Sequence, residues 1–310
     1  MSTRSEDIAE ILAGLGNEQK QISPKFFYDE RGSRLFDDIT ELPEYYLTDA
    51  EIAIMQDNIE EMADLVGRLA SLIEFGSGSS LKTRILLEHL HELAAYVPVD
   101  ISEEHLLASA SAIEKDFEHI EVLPVVADFT QPFELPTPRV MPLRNIVYFP
   151  GSTIGNLERP DALSLLQVMH QEAGEDGALL IGVDLQKDSQ IIEAAYNDSR
   201  GVTADFNLNM LRRINNDYGA DFDLEAFEHE ARYNREAGRV EIRLISQRDQ
   251  EVALGGQRIL IEAGESILTE YSHKYTLDGF ARLAAEAGFE VGKVWTDDRQ
   301  LFSVQYLLRL

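Results

Sequence analysis

Between residues 71 and 185 short apolar runs alternate with stretches of helical period, and this alternation restricts the fold more than any other feature of the chain. Residues 71–80, SLIEFGSGSS, read as an apolar strand breaking into a glycine-rich turn. From 81 to 95 apolar residues recur at helical spacing, at Leu81, Ile85, Leu86, Leu90 and Leu93. The run AYVPVD reads as a second strand ending at Asp100, 103–117 as a helix, and HIEVLPVVADF as a third strand ending at Asp128. A strand over 144–151, a helix over 160–172 and a buried strand over 177–185 continue the pattern. Repeated strand–helix alternation predicts an α/β fold, a parallel sheet with helices on both faces.

The end of the chain refines this expectation. Residues 276–289 carry a helical apolar stripe that stops at Gly288, and strand-like runs follow at 289–296 and 301–308, joined by the turn-like DDRQ. A helix followed by a β-hairpin resembles the way class I methyltransferases finish a Rossmann-like sheet; a plain dehydrogenase does not usually end so. The expected fold is therefore a Rossmann-like class I methyltransferase sheet with a C-terminal antiparallel hairpin. Two stretches, 1–56 and 188–268, lie outside the pattern. A block of about 80 residues is too long for a bare loop in a compact domain. The two stretches are expected to pair into a second, substrate-binding lobe of residues 1–56 and 194–274, beside a sheet domain of 57–193 and 275–310. A lobe placed at the carboxyl ends of the strands would cover the ligand crevice.

Composition excludes several classes of function. Hydrophobic residues make up 44% of the chain, enough for a full core. The absence of cysteine removes disulfides, zinc-thiolate sites and thiol nucleophiles together. A formal net charge of −29 repels phosphate backbones, so no nucleic-acid partner is expected. The charge suits a high-salt host or an ordinary acidic cytosolic protein. No run approaches the roughly 20 apolar residues that span a bilayer. The stretch EEMADLVGRLASLIEF looks amphipathic, but its polar face is acidic, which opposes adsorption to a membrane. The first residues, MSTRSEDIAE, hold no apolar signal segment, and a cytoplasmic enzyme is expected. No unused apolar helix face is evident, so the expected state is a monomer. His89 and His91 lack the i, i+4 spacing of a zinc pair, and no metal is expected.

The glycine turn carries the first chemistry. Glu74-Phe75-Gly76-Ser77-Gly78 is shorter than the G-x-G-x-x-G of dinucleotide folds and suits a ligand without a pyrophosphate. The methionine part of S-adenosylmethionine is such a ligand. Asp100, closing the second strand, can accept from ribose hydroxyls. Asp128 can accept from an adenine amino group while Phe129 packs on the ring. Lys82 can pair with a carboxylate of the ligand. Each also has a structural reading: the aspartates as helix caps or strand-end turns, the lysine as a solvated side chain.

One further block, SPKFFYDERGSRLFDDITELPEYYLTDAE (23–51), is not explained by any simple helix or strand template, and it accompanies the motifs IEFGSGSSLKTR and YFPGSTIGNL. Together they resemble the L-histidine Nα-methyltransferases of ergothioneine biosynthesis, over nearly the whole chain from about residue 10. The resemblance implies transfer of three methyl groups from S-adenosylmethionine to the α-amine of L-histidine, giving hercynine, without a metal. It places Tyr28 near the substrate amine, Tyr45 near the amino-acid head group, and Gly151 in the loop after the fourth strand. Asn156 would hold the α-amine and carboxylate, Tyr196 would hydrogen-bond the carboxylate, and Glu270 and Ser272 would read the imidazole. Tyr28 and Asn156 would thus be the catalytic pair, through orientation of the amine. Gly76, Ser77, Gly78, Lys82, Asp100, Asp128 and Phe129 would hold the methyl donor. A relative acting on another free amino acid, such as tryptophan, is the alternative; Glu270 and Ser272 speak against it, since an indole needs fewer polar partners.

Overall fold

The computed structural model describes residues 3–77 and 81–310. The chain divides into two compact units, one of Met1–Tyr46 with Lys187–Ser272, the other of Leu47–Gln186 with His273–Leu310. These divisions fall at 46/47, 186/187 and 272/273, against the 56/57, 193/194 and 274/275 read from the sequence. The first and second of the expected divisions lie inside helices.

Along the chain, helix α1 (Arg4–Leu15) opens with a capping box, Thr3 and Glu6 each bonding the other's backbone N–H. A 3-10 turn at Pro24–Phe27 leads into α2 (Glu30–Thr40), capped by Asp29. Then follow α3 (Tyr46–Val66), β1 (Ala70–Phe75), α4 (Leu81–Leu87), β2 (Ala95–Asp100) and α5 (Glu103–Asp116). Strands β3 (Val125–Val126) and β4 (Arg144–Phe149), helix α6 (Arg159–Ala173) and β5 (Ala178–Asp184) complete this run. Helices α7 (Ser189–Tyr196) and α8 (Val202–Tyr218) precede five strands, β6 (Phe227–Asn234), β7 (Arg239–Ser246), β8 (Gln250–Leu254), β9 (Gln257–Ile261) and β10 (Ser266–His273). Helix α9 (Leu277–Glu286), β11 (Phe289–Thr296) and β12 (Phe302–Arg309) end the chain.

The larger unit holds a seven-stranded sheet in the order β11-β12-β5-β4-β1-β2-β3. Strands β1 to β5 run parallel, while β12 lies antiparallel to both β5 and β11. Strands β1 and β5 are buried along their whole length, as expected of strands covered on both faces. This is the Rossmann-like class I methyltransferase sheet with its terminal hairpin. Two local expectations fail. The third strand is two residues long, not eleven, because Pro124 brings no N–H to the ladder and β3 pairs only with β2 at the sheet edge. Helix α4 stops at Leu87, not 95; Leu90 and Leu93 keep helical spacing but are buried in the turn before β2. The amphipathic stretch 60–75 likewise spans two elements: α3 ends at Val66, Gly67 has a positive φ, and β1 begins at Ala70.

The smaller unit combines α1, α2, α7 and α8 with a three-stranded sheet β10-β7-β6 and the hairpin β8-β9. Burial alternates strictly along β7, with Val240, Ile242, Leu244 and Ser246 inward, the signature of a strand packed on one face. Its core joins Phe26 and Phe27 from the N-terminal segment to Phe206, Met210 and Leu211 of α8 and Leu244 of β7. Gly32 lies so close to Phe27 that a Cβ there would collide with its carbonyl oxygen.

Candidate active site

In the larger unit the predicted donor-binding groups gather at the carboxyl ends of three adjacent parallel strands. After β1, Gly76 turns the chain with φ +75° and donates its N–H to Val99 at 2.8 Å. A Cβ at this position would meet the ring of Phe129 at 3.5 Å. A left-handed glycine against an aromatic face is the cradle a flat adenosyl group and an extended amino acid would fill, so the residues fit S-adenosylmethionine. Ser77 is buried, and Gly78 lies outside the described residues. Asp100 accepts from Ser102 N at 2.8 Å, and one oxygen of Asp128 accepts from Thr130 N at 3.0 Å and Thr130 Oγ1 at 2.7 Å. Both aspartates therefore shape the turns they sit in, using Oδ1 in each case. Phe129 packs against Phe75 and Phe149, with ring centroids 5.6 and 6.0 Å away.

Glu74 lies buried beneath the turn. Its carboxylate accepts from Thr83 Oγ1 at 2.6 Å and from the Tyr96 hydroxyl. Burial pushes its pKa up to about 7, against the pull of those two hydrogen bonds and of Lys82.

Lys82 is neither solvated nor turned only to a ligand. Its ammonium pairs with Glu51 at 2.5 Å, and Glu51 is 1% exposed. The same carboxylate accepts from Gly151 N at 2.9 and 3.0 Å. One side chain of α3 thereby ties the start of α4 to the loop after β4. Sequence reasoning missed Glu51. A signal was present: it stands at core spacing with Leu47, Ala50, Ile54 and Met55, an acid on the apolar face of a helix. Gly151 has φ +83° and Ser152 φ +58°, a left-handed pair. Asp184 N donates to Ser152 Oγ at 2.9 Å, holding the non-glycine residue in this conformation. The following 3-10 turn, Thr153–Asn156, carries Asn156, and Gly155 sits where a Cβ would approach the His273 carbonyl oxygen to 2.7 Å. Asp184 and Lys274 form an ion pair at 2.6 Å with both side chains 0% exposed.

In the smaller unit a cavity is lined by Tyr45, Tyr196, Phe206, Asn207, Ile242 and Glu270 among others. Tyr45 and Tyr196 meet edge to face at 6.0 Å, and the Tyr196 hydroxyl is 2.8 Å from Ser272 Oγ. Tyr28 packs on Phe27, Phe36 and Phe206. It keeps 46% of its surface accessible, while the protein packed around it partly desolvates the phenol. That desolvation raises its pKa well above the ordinary phenol value, and Glu270 and Tyr45 add to the effect. Tyr28, Tyr45, Tyr196, Glu270 and Ser272, distant in sequence, thus belong to one neighbourhood of this unit. Sequence reasoning did not find Asn207. No helix among the described residues is long and apolar enough to cross a membrane.

The family of histidine-specific, S-adenosylmethionine-dependent methyltransferases matches residues 7–309. The chain is similar to a histidine N-alpha-methyltransferase of Mycobacterium tuberculosis, 39% identical over 93% of this chain and 90% of that protein. It is also similar to ergothioneine biosynthesis protein 1 of Neurospora crassa, 33% identical over 89% of this chain but only 32% of that longer protein. Among solved structures, LaPhzM shares the fold at a TM-score of 0.51 and 10% identity, over 99% of this chain and 70% of that one. With the family matched from residue 7 to residue 309, this chain belongs to the S-adenosylmethionine-dependent, histidine-specific methyltransferases.

Proposed function

We propose that the chain trimethylates the α-amine of L-histidine to hercynine, a step of ergothioneine biosynthesis, in the cytoplasm and as a monomer. The observation that carries the substrate is the cavity of the smaller unit, where a carboxylate, Glu270, stands with the Tyr196–Ser272 hydroxyl pair among aromatic walls. Glu270 would accept an imidazole N–H, and Ser272 would meet the other ring nitrogen as donor or acceptor. A ring without these groups forgoes both hydrogen bonds, which discriminates more strongly than shape alone.

S-adenosylmethionine, when bound, supplies a methyl carbon activated by the positive sulfonium. The chain's own task is then to present a neutral amine in line with that carbon. Tyr28, Tyr45 and Asn156 would orient the amine and the head group. The raised pKa of Tyr28 keeps it a neutral phenol that can donate or accept a hydrogen bond, so it orients the amine without acting as a phenolate base. The amine's proton leaves to water or along a tyrosine-linked relay. Gly76, Ser77, Asp100, Asp128 and Phe129 would hold the donor, with Gly78 completing the turn. Lys82 and Gly151 would act from positions set by Glu51.

The test is incubation of the protein with S-adenosylmethionine and all twenty amino acids, with mass detection of products. Trimethylated histidine alone is expected. Methylation of tryptophan or another amino acid in its place would overturn the reading. Glu270→Ala is expected to reduce the preference for histidine over other amino acids by about 100-fold or more; an unchanged preference removes Glu270 from the imidazole site.

A further inference from the structure

Asn207, on α8, is 1% exposed and lines the cavity of the smaller unit. The direction of its amide follows from its neighbours. His229 Nε2 lies 2.8 Å from the carbonyl oxygen of Tyr196. A carbonyl only accepts, so Nε2 carries the proton. Burial lowers the pKa of His229, which keeps the ring neutral and leaves Nδ1 a lone pair. Asn207 Nδ2 donates to that Nδ1 at 2.9 Å, and to the carbonyl oxygen of Arg243 at 3.1 Å. Both amide hydrogens are used. Flipping the amide would turn its oxygen against two acceptors. The oxygen Oδ1 is therefore held away from His229 and Arg243, and this buried atom has no hydrogen-bond partner among the described residues. A buried acceptor without a donor is rare and costly, and here the cavity is what can supply the donor.

We infer that Asn207 Oδ1 accepts a hydrogen bond from the ring N–H of the bound amino acid, directly or through one water, as a third polar reader beside Glu270 and Ser272. His229 is the positioning residue that keeps the oxygen turned to the ligand. The inference rests on the reading of this cavity as the histidine site and deepens it. Two acceptors, a carboxylate and an amide oxygen, require N–H groups from the ring. An imidazolium donates from both ring nitrogens, and a neutral imidazole donates from one and reaches the second acceptor through a water on the other, whereas a phenyl ring offers neither.

The first arm of the test is methylation of histidine by the unmodified protein; its absence would sink the functional reading rather than this one. The second compares Asn207→Leu, by initial rates over a range of histidine at saturating S-adenosylmethionine, with the Kd for S-adenosylhomocysteine as a control on the other unit. The expected result is a KM for histidine raised about 10- to 100-fold, with a smaller change in kcat and an unchanged control. A folded variant whose KM stays within about two-fold, below the effect of one lost buried hydrogen bond, overturns the inference. Should the variant fail to fold, a structure of the unmodified protein with histidine bound decides. Oδ1 within about 3.2 Å of a ring nitrogen, or of one water bridging to it, supports the assignment, and any other arrangement defeats it.

Discussion

Glu74 is a carboxyl group placed where ionisation is unfavourable, and this has a measurable consequence for stability. Its folded-state pKa, about 7, stands above the ordinary 4.5. Below pH 4.5 the group is protonated in both the folded and the unfolded chain. Between 4.5 and 7 the folded protein keeps a proton that the unfolded chain has released, so stability falls as pH rises through this window and levels off above it. Glu74→Gln removes that term. Urea midpoints at about pH 5 and about pH 8 should show the unmodified protein losing on the order of 3 kcal/mol more than the variant across the interval. Parallel profiles would mean that Glu74 titrates normally. Other carboxylates act in the opposite sense, Asp198 among them: backbone and hydroxyl hydrogen bonds lower its pKa and outweigh burial, which is why the difference between variants is the quantity to read. At this scale the glycine turn and the strand-end aspartates were legible in the sequence, because each lies where a strand stops. Glu51 and Asn207 were not. The helical spacing of Glu51 announced its burial, but the roles of both depend on partners far along the chain, such as Gly151 and His229.

At the scale of elements, periodicity was a good guide wherever one element fills one apolar run. Helix α6, read as 160–172, forms over Arg159–Ala173, and the hairpin strands β11 and β12 lie within a residue of their expected ends. It misled where apolar spacing continued through a turn, as after α4, and where a proline interrupted a ladder, as at β3. The aromatic N-terminal block looked patternless because its order depends on other elements: Phe27 stacks on Phe206 at 4.5 Å, and Asp29 accepts from Asn209 at 2.8 Å. The segment after β10 contains a different dependence. Lys274 and Asp184 are each other's charge partner at the end of β5, away from water. Lys274→Met should cost about 3–5 kcal/mol in chemical denaturation, since it strands a buried carboxylate. The double variant Asp184→Leu with Lys274→Met should recover most of that loss. A single variant as stable as the parent would show that the pair is solvated.

For the whole molecule, a charge of −29 sets a background that no single contact removes. Like charges spread over the surface oppose compaction, and salt screens them over a Debye length of about 10 Å at 0.1 M and about 3 Å at 1 M. Raising sodium chloride from about 0.05 to about 1 M should therefore raise Tm by several degrees in a calorimetric scan. An unchanged Tm would mean that the surface carboxylates are already compensated by local pairs such as Lys25 with Asp7 and Glu10.

The smaller unit is assembled from two stretches separated by residues 47–186, an interval of 140 residues. On a ribosome adding about 5–20 residues per second, its first segment waits roughly 10–40 s for α8 and β7 to be made. Throughout that interval Phe26, Phe27 and Ile39 have no core to enter. The larger unit faces a similar delay, because β11 and β12, at one side of its sheet, are separated from β5 by the whole second stretch of the smaller unit. A nascent chain of this protein therefore carries exposed apolar segments until the late stretches of both units are made, and its yield in a cell depends on how well chaperones shield them in the meantime.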